Sequence, residues 1–333
     1  MHPHHPIDAR QLLRDVAVFA KPVVSRSIFE LVITAIPFLV LWAALWAAVA
    51  AGYWIGLLLA IPAGGLLLRL FVIQHDCGHG SLFRRRAAND WVGRSLSVLT
   101  LTPYDFWRRS HALHHATSGN LGKRGTGDVD TLTVAEYREK SPRQRFLYRL
   151  YRNPLILFTV GPAYLFLLHQ RLPVGFMKRG WRPWLSTIGT NAAIVAVAAL
   201  VVWQIGFLHF LAVHLPITLV AATAGVWLFY VQHQFENTVW EDDEEWSFHE
   251  AALHGSSNYE LPRILRWFTG NIGIHHVHHL SSRIPFYRLP DVLRTHPELA
   301  SVSRLTLGQS LATVRLGLWD ERKRRLLPFS EAA

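Results

Sequence analysis

Two long stretches without a charged residue place the strongest constraint on this chain. No Asp, Glu, Lys or Arg occurs from Leu31 to Leu68 or from Pro183 to Phe235, which are 38 and 53 residues long. One membrane-spanning helix needs roughly 20 apolar residues, so each stretch is long enough for two crossings. Weak breaks at Ala51-Gly52 and Gln204-Ile205-Gly206 divide the two stretches. The sequence therefore predicts an all-α integral membrane protein with two helical hairpins, whose four spans lie near residues 28–50, 52–73, 185–204 and 207–231.

Composition excludes several other classes of protein. Half of the 333 residues are hydrophobic and 17% are charged, against about 25% charged residues in ordinary soluble domains. A disordered chain is therefore excluded, and a soluble enzyme would have to bury four apolar runs with uncharged tips. The single cysteine, Cys77, excludes an intramolecular disulfide framework and a zinc ribbon.

The distribution of positive charge predicts the orientation of the hairpins. All 34 Lys and Arg residues lie outside the two charge-free stretches, so the positive-inside rule places both termini and the long middle segment in the cytosol. Arg69, near the end of the second span, is expected to extend its side chain toward that face. The net charge of +11 fits contact with anionic lipid headgroups, and without a nucleic-acid-binding motif we expect no nucleic-acid partner.

The remaining segments are predicted to complete one domain over residues 1–333. A fifth apolar run, Pro154–His169, has sixteen residues with Gly161 and Pro162 inside it, which is short for a span. A crossing there would also separate the later histidines from the earlier ones, so we interpret the run as interfacial or re-entrant. The acidic run Glu241–Glu245 is most simply a solvated cytosolic turn.

Histidine clusters are the feature that carries chemistry. They read His75-Asp-Cys-Gly-His79, His111-Ala-Leu-His114-His115 and His275-His-Val-His278-His279. Residues three and four apart share one face of a helix, so each cluster directs two or three imidazoles at one point. With the topology above, the three clusters, which we number as boxes one to three, lie at one membrane face.

The number of imidazoles indicates two metal ions rather than one. Four ligands fill a tetrahedral zinc site, whereas eight or nine nitrogens shared by two ions leave a position for an exogenous ligand. Imidazole suits Zn, Cu, Fe and Ni, and iron is the metal that best fits oxygen activation. His233, at the cytosolic end of the fourth span, is a candidate ninth ligand.

Other residues near the clusters receive structural interpretations. His276 points about 100° away from His275 on a helix, and is expected to orient a ligand or to bind an acidic neighbour. Cys77 points off the His75/His79 face and is expected to be a small packing residue. We interpret His209 and His214 as structural residues, and His2, His4 and His5 as part of a flexible tail. No ligand spacing is found at His169, His249, His254 and His296.

Over roughly residues 30–300 the chain resembles the membrane fatty acid desaturases. The resemblance rests on the order and spacing of the three boxes, on the hairpins between them, and on the stretches His75–Phe83, Trp107–Asn120 and Asn271–Leu280. The first box, His-Asp-Cys-Gly-His, is similar to that of methyl-end (Δ12/ω6-type) enzymes acting on lipid-linked acyl chains. The third box begins with His275 rather than the Gln that is typical of front-end enzymes.

The resemblance implies a centre of two non-haem iron ions that uses O2 as co-substrate and forms a cis double bond in a fatty acyl chain. It implies no catalytic residue beyond the metal centre. Because the sequence lacks a His-Pro-Gly-Gly motif, a separate ferredoxin or cytochrome b5-type donor is expected to supply the electrons. The ligands implied by the resemblance are His75, His79, His111, His114, His115, His275, His278 and His279, and His233 matches a further ligand.

Two alternative functions follow from the same residues. A membrane di-iron hydroxylase or ketolase uses the same kind of oxidant, and ligand spacing does not separate its outcome from desaturation. A histidine-rich metal transporter belongs to a different class, but transport favours ionisable residues inside the spans. The basic residues Arg84–Arg86, Arg108 and Arg109 fit lipid phosphates, an acidic electron donor, or simple positive-inside anchoring.

Overall fold

Four long apolar helices form the membrane-spanning part of the protein. The structure, a computed structural model, describes residues 9–125 and 127–331, so the tail histidines His2, His4 and His5 lie outside the described residues. Within these residues, the helices long and apolar enough to cross a membrane are Val24–Ala50, Trp54–His79, Trp181–Ile205 and Phe207–His233. The two predicted hairpins are confirmed.

Helices dominate the rest of the described chain as well. In chain order the α-helices are α1 Ala9–Val16, α2 Val24–Ala50, α3 Ala60–His79, α4 Arg86–Leu99, α5 Tyr104–Thr117, α6 Val134–Glu139, α7 Pro142–Tyr151, α8 Gly161–Leu167, α9 Trp181–Ile205, α10 Phe207–His233, α11 Phe248–His254, α12 Arg263–Phe268, α13 His275–Leu280, α14 Leu289–Thr295 and α15 Leu307–Thr313. The segments between and after the two hairpins form a cap, and all three boxes lie where this cap meets the spans.

The second span extends further than the sequence predicted. Its helix α3 continues six residues past position 73 to His79, because nothing before Gly80 interrupts it. Gly80 has a φ of +71° and ends the helix in the left-handed conformation that favours glycine. The first histidine box therefore forms the last turn of a membrane helix rather than a separate element.

Helix α3 lies at the centre of the bundle and packs against α10. An ideal Cβ at Gly64 would lie 2.5 Å from the Val220 side chain and 3.1 Å from the Ile217 carbonyl oxygen. Small residues permit such close helix contacts in membranes, where helix association depends on packing. Helix α9, in contrast, buries only Pro183 and Thr187 of its residues, so most of its surface is left for lipid.

Arg69 does not extend to the membrane surface, which makes the sequence-based prediction wrong. Its side chain is only 2% exposed and pairs with the equally buried Glu30 of α2. The guanidinium also donates to the Thr34 hydroxyl at 3.1 Å and to the Trp267 carbonyl. Because a carboxylate and a carbonyl replace water as partners, the charge remains inside and joins α2 and α3 to the cap.

Tyr104 joins the first two boxes through the cap. Its hydroxyl lies 2.8 Å from the Cys77 carbonyl oxygen on α3 and 3.0 Å from the Asp90 carboxylate on α4. The Tyr104 ring is buried against Gly93 of α4, where an ideal Cβ would lie 2.2 Å from a ring carbon. Helices α3, α4 and α5 are therefore held together at a point where only a glycine fits.

Two small sheets connect distant parts of the cap. Strand β1 (Leu132–Thr133) pairs in parallel with β4 (Leu316–Asp320), which pairs antiparallel with β5 (Arg325–Pro328). Strands β2 (Asn258–Glu260) and β3 (Arg304–Thr306) also pair in parallel. The predicted helical membrane fold is confirmed, and these short strands add long-range pairings that the sequence analysis did not include.

The fifth apolar run forms one short helical segment. A π-helical turn, Ile156–Val160, leads directly into α8 (Gly161–Leu167). The helical residues 154–167 extend about 21 Å at 1.5 Å per residue, short of the roughly 30 Å of a bilayer core. Phe158 packs with its ring centroid 5.0 Å from that of Trp227 on α10. The run therefore contains no helix long enough to cross.

The acidic run after α10 is only partly the solvated turn that was predicted. The Glu241 amide donates to the Gly119 carbonyl and its carbonyl accepts from the Leu121 amide, both at 2.9 Å. Asp243 accepts from Asn120 at 2.9 Å and pairs with Lys123 at 2.8 Å. The run thus binds the segment directly after the second box.

We predict that Gly93→Ala destabilises the protein. The new methyl group would overlap the buried Tyr104 ring, and overpacking of this kind costs about 1–3 kcal/mol, which exceeds the helix-propensity gain of up to about 1 kcal/mol for Gly→Ala. Thermal unfolding in detergent measures the effect. Gly189→Ala is the control, because its Cβ meets nothing within 4 Å. Equal melting temperatures for the two variants would contradict this packing.

Candidate metal centre

Four helices bring the predicted histidine ligands together. Helix α3 ends with His75 and His79, α5 carries the second box near its end, α10 ends at His233, and the six-residue α13 consists largely of the third box. Each ligand pair at i, i+4 spacing lies on one helix face, as the sequence predicted. The helix ends meet where the hairpins join the cap.

The nine histidines form two groups with the geometry of metal sites. The five-nitrogen group is His75, His79, His111, His115 and His278, and the four-nitrogen group is His114, His233, His275 and His279. Within each group one ligand atom from every residue lies within 4.8 Å of all the others. The second and third boxes divide between the groups, so neither group can form without α5 and α13.

The Nε2 atoms of neighbouring rings are in close contact. In the five-nitrogen group, His111 lies 3.0 Å from His79 and His115 lies 3.2 Å from His278. In the four-nitrogen group, His233 lies 3.2 Å from His114 and 3.1 Å from His275. The groups adjoin each other through the His115 and His279 rings, which stack with centroids 4.1 Å apart.

The Nδ1 atoms of two of these rings make hydrogen bonds to the protein, and these hydrogen bonds show that the contacts between Nε2 atoms fit metal ions. His114 Nδ1 donates to the Asp128 carboxylate at 2.6 Å and His233 Nδ1 donates to the Gly255 carbonyl at 3.2 Å. In a neutral imidazole the other nitrogen is then an acceptor. The two Nε2 atoms therefore direct lone pairs at each other across 3.2 Å, an arrangement that a cation between them would stabilise.

Burial favours the neutral form, which metals bind, in five of the cap histidines. Desolvation lowers the pKa of His275, His278 and His279 well below its ordinary value, and the neighbouring rings of the cluster lower it further. The same causes lower the pKa of His111 and His115. Neutral imidazoles can bind a metal without first losing a proton.

Other predicted residues lie near the centre but outside both groups. His276 is fully buried, and its Nε2 lies 3.0 Å from the Leu299 carbonyl oxygen. Its partner is therefore a main-chain carbonyl and not the acidic neighbour that was predicted as one possibility. Cys77 is buried as a packing residue, as predicted. His214 joins α10 to α2 by accepting from Trp42 Nε1 at 3.1 Å, which confirms its structural role.

Among the described residues, His169, His209, His249, His254 and His296 also lie outside the two groups. Among the basic residues expected to face lipid or a donor, Arg86 and Arg108 pair with Asp90 at 3.0 and 2.9 Å. Part of this positive charge therefore stabilises the cap itself, while Arg84 and Arg85 are exposed.

The sequence analysis missed the residues that hold the rings from outside. The Asp128 carboxylate accepts from His114 Nδ1, and the Gly255 carbonyl accepts from His233 Nδ1. Asp76 Oδ1 lies 3.3 Å from His75 Nδ1, while its Oδ2 accepts from the Phe286 amide at 2.7 Å. Metal-binding histidines usually give their second nitrogen to such a partner. That rule could have identified Asp76, because it follows the ligand His75 in the sequence. Asp128 and Gly255 have no characteristic sequence spacing from a ligand, so the rule could not identify them.

Comparison with known proteins agrees with this geometry. The family profile described as "Fatty acid desaturase" matches residues 51–309, which include all nine histidines. The chain belongs to the fatty acid desaturase family. It is thus a member of a family of oxidoreductases, and the predicted resemblance is confirmed.

Several named relatives support the assignment to this desaturase family. A "Fatty acid desaturase" of Bacillus subtilis (strain 168) is 46% identical over 322 residues, covering 96% of this chain and 90% of the relative. A "sn-1 acyl-lipid omega-3 desaturase (ferredoxin)" of Synechocystis is 30% identical, covering 68% and 63%. An "Acyl-lipid omega-3 desaturase (cytochrome b5), endoplasmic reticulum" of Arabidopsis thaliana is 29% identical, covering 69% and 61%. The chain thus spans about three fifths of the latter two.

We predict that the metal-free protein binds two Co²⁺ ions per chain. The two groups each offer at least four nitrogens, and imidazole binds divalent transition metals well. Titration followed by visible absorption counts the ions. His275→Ala should lose about one equivalent, whereas His249→Ala, outside both groups, should keep two. Binding of a single ion by the unaltered protein, or equal loss in both variants, would contradict the two-group geometry.

Proposed function

We propose that this protein is an O2-dependent di-iron desaturase that introduces a cis double bond into a fatty acyl chain, with a lipid-linked acyl group as substrate. The observation that carries the proposal is the convergence of nine imidazoles in two adjacent groups at the ends of apolar membrane helices and in the adjoining cap. A metal–oxygen oxidant suits the chemistry, because an unactivated methylene offers no acidic proton to a base.

We propose all nine histidines as iron ligands, five to one ion and four to the other. When bound, the iron pair would supply the oxidant that removes one hydrogen from each of two adjacent methylenes. The balance is –CH2–CH2– plus O2, two electrons and two protons, giving –CH=CH– and two waters. The chain's own residues hold the ligand rings and shield them from water, since six of the nine rings are buried: His75, His114, His233, His275, His278 and His279.

An aromatic row next to the metal groups supports an apolar substrate. Trp107 stacks on His111 with centroids 4.6 Å apart, and Phe71 of α3 contacts Trp107 at 5.4 Å and Phe166 of α8 at 6.3 Å. These rings extend from a metal ligand toward the fifth apolar run. They offer a wall along which a methylene chain could lie without meeting a polar group.

We propose the type of electron-donor protein and the type of lipid substrate. The names of the Synechocystis and Arabidopsis relatives mention ferredoxin, cytochrome b5 and acyl lipids. We propose that a donor of the ferredoxin or cytochrome b5 type supplies two electrons to this centre and that the substrate is a membrane acyl lipid. The exposed Arg84 and Arg85 lie close in sequence to the first box and fit an acidic partner.

Lipid analysis tests the proposed reaction. Expression in a host that makes only saturated and monounsaturated lipids should yield new cis double bonds, measured by mass spectrometry of the fatty acids, and the purified protein should contain iron. His114→Ala should abolish the product and still insert in the membrane, because α5 lies outside the spans. A hydroxylated or keto product, or zinc in place of iron after iron-replete growth, would contradict the proposal.

We also propose the topology and extent of the domain. The chain crosses the membrane four times with both termini in the cytosol, residues 154–169 are interfacial or re-entrant, and residues 1–333 form one domain. Pairing of β4 with β1 and of β3 with β2 supports the single domain, because it joins the end of the chain to both halves of the cap.

Cysteine labelling from outside the cytosolic membrane tests this topology. In a Cys77→Ala background, single cysteines at the exposed hairpin tips should react and those in the cap should not. The tip variants are Tyr53→Cys and Gln204→Cys, and the cap variants are Arg143→Cys, Lys178→Cys and Arg283→Cys. The pair at 143 and 178 brackets the fifth run, so labelling of one member only would show that the run crosses the membrane.

A further inference from the structure

One carboxylate makes a short and buried contact with a proposed metal ligand. Asp128 Oδ1 lies 2.6 Å from His114 Nδ1, and the two side chains are 7% and 1% exposed. The other carboxylate oxygen, Oδ2, is buried and has no hydrogen-bond partner among the described residues. Asp128 therefore accepts its one short hydrogen bond from a ring of the four-nitrogen group.

The loop that carries Asp128 is built to lie against this ring. Gly127 has a φ of +77°, a left-handed backbone conformation that favours glycine, and lies against the His114 side chain. Beyond Asp128, Thr131 of the loop contacts Gln234 at the end of α10, next to the ligand His233. The loop thus contacts one ligand of the four-nitrogen group and the neighbour in sequence of another.

The other ligand rings lack an equivalent partner. Among the described residues, Nδ1 of His275 and of His278 has no hydrogen-bond partner, and His233 uses a neutral carbonyl. Asp76 lies 3.3 Å from His75 and gives its closer contact to the Phe286 amide. The short carboxylate–imidazole contact belongs to the group with fewer nitrogens.

We propose that Asp128 is a positioning residue that fixes the tautomer and orientation of His114 and so strengthens metal binding in the four-nitrogen group. The proposal rests on the two-metal function above. Accepting the Nδ1 proton leaves Nε2 as the ligand and raises its basicity, which is how outer carboxylates act in metal sites. The negative charge also compensates a divalent ion surrounded by neutral ligands in a buried site.

Asp128→Asn tests the role of the charge. Asparagine keeps the size and an oxygen that accepts from His114 but removes the carboxylate. Co²⁺ titration should show one site unchanged and the other about 10- to 100-fold weaker. The matched control is Asp130→Asn, the same change in the same loop on an exposed side chain, which should bind both ions as the unaltered protein does. Unchanged Co²⁺ affinity in Asp128→Asn would overturn the proposal.

A second variant separates action through His114 from a general loss of folding. Because Asp128 is proposed to act only through His114, the double variant His114→Ala/Asp128→Asn should bind Co²⁺ as His114→Ala does. A further loss in the double variant would overturn the positioning role. Two Co²⁺ sites without any unsaturated product would overturn the proposed reaction and leave the role of Asp128 standing, whereas a protein that binds no Co²⁺ would overturn both.

Discussion

The structure depends on keeping nine imidazoles in contact where the membrane helices meet the cap. Their Nε2 atoms approach to 3.0–3.3 Å, and where the opposite nitrogens donate to Asp128 and Gly255 the inward atoms carry lone pairs only. Such an arrangement is unfavourable without cations and stable around them. Metal binding should therefore stabilise the folded cap. In turn, the surrounding helices hold the rings in the positions that the ions need.

The membrane helices supply that rigidity. Helices α3 and α10 pack closely at Gly64 and both end in proposed ligands, so the bundle itself fixes three of the nine rings. The other six lie on α5 and α13 in the cap, where Tyr104, the buried Arg69–Glu30 pair and the two small sheets join the segments to one another. An apolar bundle with a polar, cross-linked cap suits a substrate that arrives from the bilayer and electrons that arrive from water.

The partners that the predictions missed share one cause. Arg69 was expected to reach the membrane surface, but it pairs with Glu30, 39 residues away. The acidic run is mostly exposed, as predicted, yet Asp243 also meets Asn120 across 123 residues. His276 likewise finds its partner in a carbonyl 23 residues away. Partners at such separations are not marked by any local spacing in a single sequence. The sequence analysis therefore could not identify them.

The four spans, the helix faces of the boxes and the nine candidate ligands could be predicted from the sequence, because apolar length, i, i+3, i+4 spacing and, for His233, a place at the end of a span are local properties of one helix. How the ligands divide between the two groups could be read only from the folded chain. His114 and His115 are neighbours in sequence yet belong to different groups, and His278 meets His115 across 163 residues. That division, like the contact of Asp128 with His114, depends on how helices pack and loops close, which local spacing does not encode.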